Sequence, residues 1–196
     1  DDDDLRRGRP TNHKVYGDDV AILAGDGLYA EAFRHVLTRQ DAEPAHLLSA
    51  VAELAAATGV NGMVGGQWID VQGSDVDLRV LHGLKTGRLI AASVECVLLA
   101  FGLPSAAFRT FADELGVLFQ IVDDILDVAG SEADLGKAVG VDAARGKVTY
   151  VSVHGLEGAR RLAAETHARA REALATMPGP VEDLVGITDL TFARHH

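Results

Sequence analysis

Along most of this chain the apolar residues recur at three- and four-residue intervals, while runs of strict alternation are almost absent. That period belongs to helices whose apolar stripes face a core, so the pattern predicts an all-α protein. Helices are expected over 18–38, 43–71, 76–101, 105–129, 155–176 and 181–193. The breaks between them carry turn-forming residues, as in Gln72-Gly73-Ser74-Asp75, Gly102-Leu103-Pro104-Ser105 and Met177-Pro178-Gly179-Pro180. Several helices approach about 25 residues, or about 38 Å at ~1.5 Å per residue, which describes a tall bundle. The longest weakly charged run, Leu89 to Phe108, is divided by Glu95, Gly102 and Pro104 into pieces too short to cross a bilayer. It is expected to be a buried helix.

The 105–129 helix carries two stripes. Phe108, Phe111, Leu115, Leu118, Val122 and Ile125 follow helical spacing and predict a core face. Gly116, Gln120, Asp123 and Asp127 follow the same spacing on a neighbouring face. A small residue, an amide and two carboxylates in line, flanked by Ile121 and Leu126, describe the wall of a cavity. Asp123, Asp124 and Asp127 place three carboxylates in an apolar helix, and Asp123 and Asp127 project side by side at i, i+4. Anions so placed repel one another and resist desolvation, so a cation is needed between them. Carboxylate oxygens on a rigid helix suit a hard ion such as Mg2+, which takes one or two carboxylates together with substrate phosphates. A second acidic cluster, Asp1 to Asp4, precedes Arg6, Arg7 and Arg9. Two acidic clusters with arginines beside one of them suggest two metal-bridged anchors around a diphosphate.

The 196 residues fit one domain with a real core, and 47% hydrophobic residues argue against disorder. A net charge of −11 and a pI near 5.0 argue against nucleic acid or an anionic membrane as a general partner. The single cysteine, Cys96, rules out an internal disulfide and fits a reducing, cytoplasmic setting; its expected role is inert packing. No Ser/His/Asp arrangement, phosphate-binding glycine loop or dinucleotide fingerprint is present, and the histidines show no metal-ligand spacing.

Seven segments in order then resemble one family: Asp1-Asp2-Asp3-Asp4-Leu5-Arg6-Arg7-Gly8-Arg9-Pro10-Thr11, Leu23-Ala24-Gly25-Asp26-Gly27-Leu28, Gly62-Met63-Val64-Gly65-Gly66-Gln67, Lys85-Thr86-Gly87, Phe119-Gln120-Ile121-Val122-Asp123-Asp124-Ile125-Leu126-Asp127, Leu135-Gly136-Lys137 and Gly146-Lys147-Val148-Thr149-Tyr150. Each alone is weak, but together the chain resembles the trans-isoprenyl diphosphate synthases, the farnesyl and geranylgeranyl diphosphate synthases, over essentially its full length. The resemblance implies an isoprenoid synthase type I helical bundle around a central cavity, as a single polyprenyl synthase domain. It also implies Mg2+, or Mn2+, held by Asp123, Asp124 and Asp127 and by Asp1. Asp1 matches the last aspartate of the family's first aspartate-rich motif, so the rest of that motif and several N-terminal helices are expected upstream of residue 1.

The same resemblance assigns Arg6 to an allylic diphosphate and Arg7 to isopentenyl diphosphate, two jobs for which a planar guanidinium fork is suited. It assigns Lys85, Thr86 and Lys137 to the allylic diphosphate and Gln120 to the cavity wall near the reacting carbon. Gly87 after Thr86 suggests a local helix break that turns those side chains inward. Lys147 either closes over the site or organises its loop with Tyr150. Gln67 and Asp70 share a helix face and either reach the cavity or follow from close helix packing at Gly65 and Gly66.

The implied reaction is head-to-tail prenyl transfer from an allylic diphosphate to isopentenyl diphosphate, giving a short-chain product. The rivals are a class I terpene cyclase and a non-catalytic subunit of a heteromeric synthase. A cyclase has no need of the Arg6-Arg7 subsite, and a non-catalytic subunit tends to lose aspartates that this chain keeps. Homodimerisation is expected through Leu89–Phe101, where Glu95 is the one charge on a long helix.

Overall fold

The computed structural model describes residues 2–73, 76–103, 106–130, 147–177 and 179–194. A two-residue hairpin, β1 Leu5–Arg6 and β2 Arg9–Pro10, leads into α1 Asn12–Tyr16 and α2 Asp18–Arg39. There follow α3 Pro44–Thr58, α4 Met63–Gln72, α5 Leu78–His82, a π-helical turn Gly83–Gly87 and α6 Arg88–Ala100. The bundle is completed by α7 Ala106–Ala129, α8 Tyr150–Ala175 and α9 Glu182–Ala193.

The core is built on α7. Val117, Leu118, Ile121, Val122 and Ile125 pack against Tyr150, Ala159 and Ala163 of α8. Phe111 and Leu115 pack against Ala170 and Leu174 of α8 and against Met177. Of the expected stripe, Phe111, Leu115, Leu118, Val122 and Ile125 are buried and Phe108 is partly buried. The alanines of α8 let the two long helices approach closely, and α8 is started by a capping box in which Thr149 and Ser152 satisfy each other's backbone N–H groups.

Three expectations are corrected. The single helix over 43–71 is interrupted: regular helix ends at Thr58 and resumes at Met63, and a Cβ on Gly62 would lie 2.0 Å from the Ala57 carbonyl oxygen. Pro44–Gln72 is long and apolar enough to cross a membrane by length and composition alone; the interruption divides it into helices of 15 and 10 residues. The helix over 76–101 is α5, the π turn and α6. The helix expected from residue 155 starts at Tyr150 and kinks at Gly155, whose φ of 69° suits glycine. The acidic-arginine opening contains a hairpin, with φ of 52° at Arg7 and 72° at Gly8, as a type I′ turn demands.

Within α6, Ala91, Ala92 and Glu95 form the buried face. Glu95 is held by Arg109, with Oε1 accepting at 2.8 Å. Burial, and then the neighbouring Glu53 carboxyl, push Glu95 above the usual carboxylate range against the pull of Arg109. The Cys96 thiol donates to the Ala50 carbonyl at 3.3 Å and burial raises it, in keeping with an unreactive role.

Candidate functional site

The polar face of α7 sets one wall. Asp124 and Asp127 are 2% and 4% exposed, and Asp123 is partly buried. Asp124 is fixed from two sides: Gln120 Nε2 donates to Oδ1 at 2.8 Å, and the Tyr150 backbone N–H donates to Oδ2 at 2.7 Å. Gln120 therefore orients a carboxylate. Tyr150 ties the start of α8 to the acidic cluster through its backbone, while burial pushes its phenol up to about 12. Asp123 and Asp127 share a face one turn apart. Among the described residues, no three His, Cys, Asp or Glu side chains converge closely enough to hold a metal unaided. An ion such as Mg2+, completed by substrate phosphates and water, needs only one or two of them, so the donor set fits it.

The second wall is the π turn, and it carries Lys85 and Thr86. An i→i+5 turn inside a helix bulges the backbone outward and is frequent at functional sites. The expected local break is therefore present, as a π turn over Gly83–Gly87. It is wedged between two helices by glycines: a Cβ on Gly66 of α4 would lie 2.3 Å from Lys85 N, and one on Gly116 of α7 would lie 2.7 Å from Gly87 Cα. Gly116 lies seven residues before Asp123, about 10 Å along α7.

Asp70 of α4 meets Lys85, with Nζ donating to Oδ2 at 2.6 Å, and Lys147 Nζ stands 4.0 Å from the same oxygen. Burial pushes the Asp70 carboxyl up, but the Lys85 hydrogen bond and charge, reinforced by Lys147 and His82, outweigh it and hold it below the usual range. Of the two residues expected to share a face of α4, Asp70 joins the cluster and Gln67 is exposed. Asp70's place as the meeting point of two lysines was not predicted. The signal for it was the glycine one turn earlier.

Arg6 and Arg7 lie on the exposed hairpin, and among the described residues neither side chain enters a hydrogen bond or ion pair. The acidic opening is held instead by Lys14, which sequence reasoning missed: its Nζ lies 3.1 Å from both Asp2 Oδ1 and Asp4 Oδ1. The hydrogen bond and charge of Lys14 keep Asp2 below the usual carboxylate range, and the two aspartates raise Lys14. Thr11 anchors the hairpin, its hydroxyl donating to the Asp3 carbonyl at 2.7 Å. Asp1 and Lys137 lie outside the described residues.

Comparison with known proteins identifies the family. A family model described as polyprenyl synthetase matches residues 1–184. The chain is 41% identical to geranylgeranyl pyrophosphate synthase 9, chloroplastic, of Arabidopsis thaliana, over all of this chain and 58% of that protein. It is 40% identical to the farnesyl diphosphate synthase of Bacillus subtilis, over all of this chain and 70% of that protein. Among solved structures, the geranyltransferase of Helicobacter pylori, complexed with magnesium and isoprenyl diphosphate, superposes with a TM-score of 0.85 at 29% identity, covering 98% of this chain and 65% of that one. A FPP/GFPP synthase of Zymomonas mobilis superposes with a TM-score of 0.83 at 34% identity, covering 96% and 66%. The chain thus spans a little over half the length of the Arabidopsis protein and about two thirds of these two solved chains. On fold and on sequence alike, it belongs to the polyprenyl synthetase family.

Proposed function

We propose that this chain carries the catalytic site of a Mg2+-dependent prenyltransferase. It joins isopentenyl diphosphate head-to-tail to an allylic diphosphate and yields a short-chain product of the C15–C20 class. The observation that carries the reading is the convergence of Lys85 and Lys147 on Asp70, on a π turn packed against the helix that bears Asp123, Asp124 and Asp127. A cationic pair across from carboxylates, in a chain of net charge −11, suits a polyanion that brings divalent metal with it. The Helicobacter pylori geranyltransferase with magnesium and isoprenyl diphosphate supports the same reading.

Asp123 and Asp127 would hold Mg2+, with Asp1 contributing from the opening cluster. Bound there, the ion supplies charge neutralisation that makes diphosphate a better leaving group. Lys85 and Lys137 donate to the allylic diphosphate, joined by Lys147 and by Arg6. Arg7 places isopentenyl diphosphate so that its double bond faces the allylic carbon. The carbonyl dipoles of Thr86 and Gln120 stabilise positive charge as the allylic carbon ionises. The proton lost after bond formation goes to the departing diphosphate. Catalysis is then positioning and electrostatic preorganisation.

Assay with dimethylallyl and isopentenyl diphosphates, with and without Mg2+, tests the reading directly. Arg7→Ala is expected to raise KM for isopentenyl diphosphate by about tenfold, the scale of one charge-assisted contact, with a smaller effect on the allylic partner. Lys85→Ala is expected to do the reverse. Equal effects of both variants on both substrates would contradict the subsite map.

A cytoplasmic homodimer completes the proposal. The lone Cys96 supports a reducing compartment. On α6, Leu89, Val97 and Phe101 are exposed, Phe101 at 72%. Val64, Trp68 and Val71 of α4 continue from Val60 as an exposed apolar stripe at helical spacing, and α2 exposes Ile22, Leu23 and Leu28. Exposed apolar side chains at helical spacing make a face suited to packing against another helix. Size-exclusion chromatography with light scattering should give twice the chain mass at micromolar concentration, and a clean monomer would refute the dimer.

A further inference from the structure

Helix α4 grips Lys85 at two points. Gly66 lies against its backbone so closely that a Cβ would stand 2.3 Å from Lys85 N and 2.6 Å from Lys85 Cα. One turn later, about 6 Å along the helix, Asp70 accepts from Nζ of the same residue at 2.6 Å. The lysine side chain therefore runs along α4 from one hold to the other. Gly116 of α7 confines the turn from the opposite side, so the backbone of Lys85 has little room to shift.

Asp70 also serves a second cation. Lys147, from the segment that enters α8, stands 4.0 Å from the oxygen that binds Lys85. The three side chains are mostly withdrawn from water, at 14% exposure for Asp70, 24% for Lys85 and 26% for Lys147. The two ammonium groups stand on one carboxylate oxygen. They are brought close enough together to meet neighbouring oxygens of a single ligand, and a diphosphate is the class of anion that presents them. Without the carboxylate, the two cations would repel each other and separate on their flexible stems.

We propose that Asp70 is a positioning residue: it holds Lys85 and Lys147 as one paired clamp for the allylic diphosphate, and acts through them without itself touching substrate or metal. The inference rests on the prenyl-transfer reading of the site. Its role would be to set the spacing of the two cations before the ligand arrives, so that less order is lost on binding.

The test is calorimetric titration of inorganic pyrophosphate with Mg2+ into the purified protein, alongside steady-state kinetics. Asp70→Asn is expected to weaken pyrophosphate binding by about tenfold, the scale of one charge-assisted hydrogen bond. It should raise KM for the allylic diphosphate similarly and leave KM for isopentenyl diphosphate within about twofold. Asp70→Glu should recover part of the loss. In a Lys85→Ala/Lys147→Ala background, Asp70→Asn should cost less than about twofold more, because the groups it acts through are gone. Full additivity in that background would overturn the proposal, as would pyrophosphate binding by Asp70→Asn equal to that of the unsubstituted protein. If Asp70→Asn does not fold by circular dichroism, Asp70→Ser is measured in its place under the same criteria. An unsubstituted protein that binds no pyrophosphate with Mg2+ would remove the functional reading itself, and this inference with it.

Discussion

Asp123→Ala is expected to lower turnover by at least about 100-fold and to raise the Mg2+ concentration needed for half-maximal rate. Losing a group that merely orients a metal ligand typically costs about 10- to 100-fold, and losing a ligand costs at least the upper end of that range. The expectation rests on the pairing of Asp123 with Asp127 one turn apart on α7, a helix whose neighbouring face is buried from Phe111 to Ile125. A carboxylate on so rigid a support cannot be replaced by a shift of the backbone. Asp124 is different, since both of its oxygens already accept bonds from Gln120 and Tyr150; its removal would disturb the start of α8 as well as the site. Turnover and Mg2+ titration of Asp123→Ala, with circular dichroism to confirm the fold, decide the matter. Near-normal rates with unchanged Mg2+ dependence would sink the metal assignment.

The largest effect on stability should come from Gly66→Val. The backbone of Lys85 fills the space a side chain would need, its nitrogen 2.3 Å from the position of a Cβ, and backbone cannot swing aside as a flexible side chain does. Overpacking of a tight site costs typically 1–3 kcal/mol, and here the upper end, about 3 kcal/mol, is expected. In a chain of this size that lowers Tm by about 6–12 °C. Gly25→Ala on α2 is the matched control, because nothing lies within 4 Å of its added Cβ. A helical glycine in open space gains about 0.5–1 kcal/mol when replaced by alanine. Thermal unfolding followed by circular dichroism separates the two, and equal melting temperatures for both variants would show that the π turn is not clamped.

Much of α7 could be read from the chain alone, because a helix writes its burial locally. The spacing of Phe111, Leu115, Leu118, Val122 and Ile125 sets a core face whatever packs on it, and Asp123 with Asp127 sets a chelating face on its flank. The same holds for the glycine at 87, which announced an irregularity beside Lys85 and Thr86. The breaks inside the longer predicted helices were harder. Between α3 and α4 the apolar period continues through Gly59–Gly62, and the interruption shows only in how closely Gly59 and Gly62 lie against the carbonyls of the preceding turn. At the opening, Arg7 and Gly8 with positive φ make a hairpin that the charge pattern did not announce.

What the sequence by itself determined is the helical class, the core face of α7 and the acidic pair beside it, since all three depend on residues within two or three turns of one another. What only the tertiary structure decided is where the cations go. Lys85 is 15 residues from Asp70, and Lys147 is far from both in the chain. Their meeting depends on glycine contacts that bring α4, the π turn and α7 closer than helices with side chains between them can come. Pattern along a chain reports which face is buried; it does not report how near two backbones approach, and the arrangement of charge in this site follows from that distance.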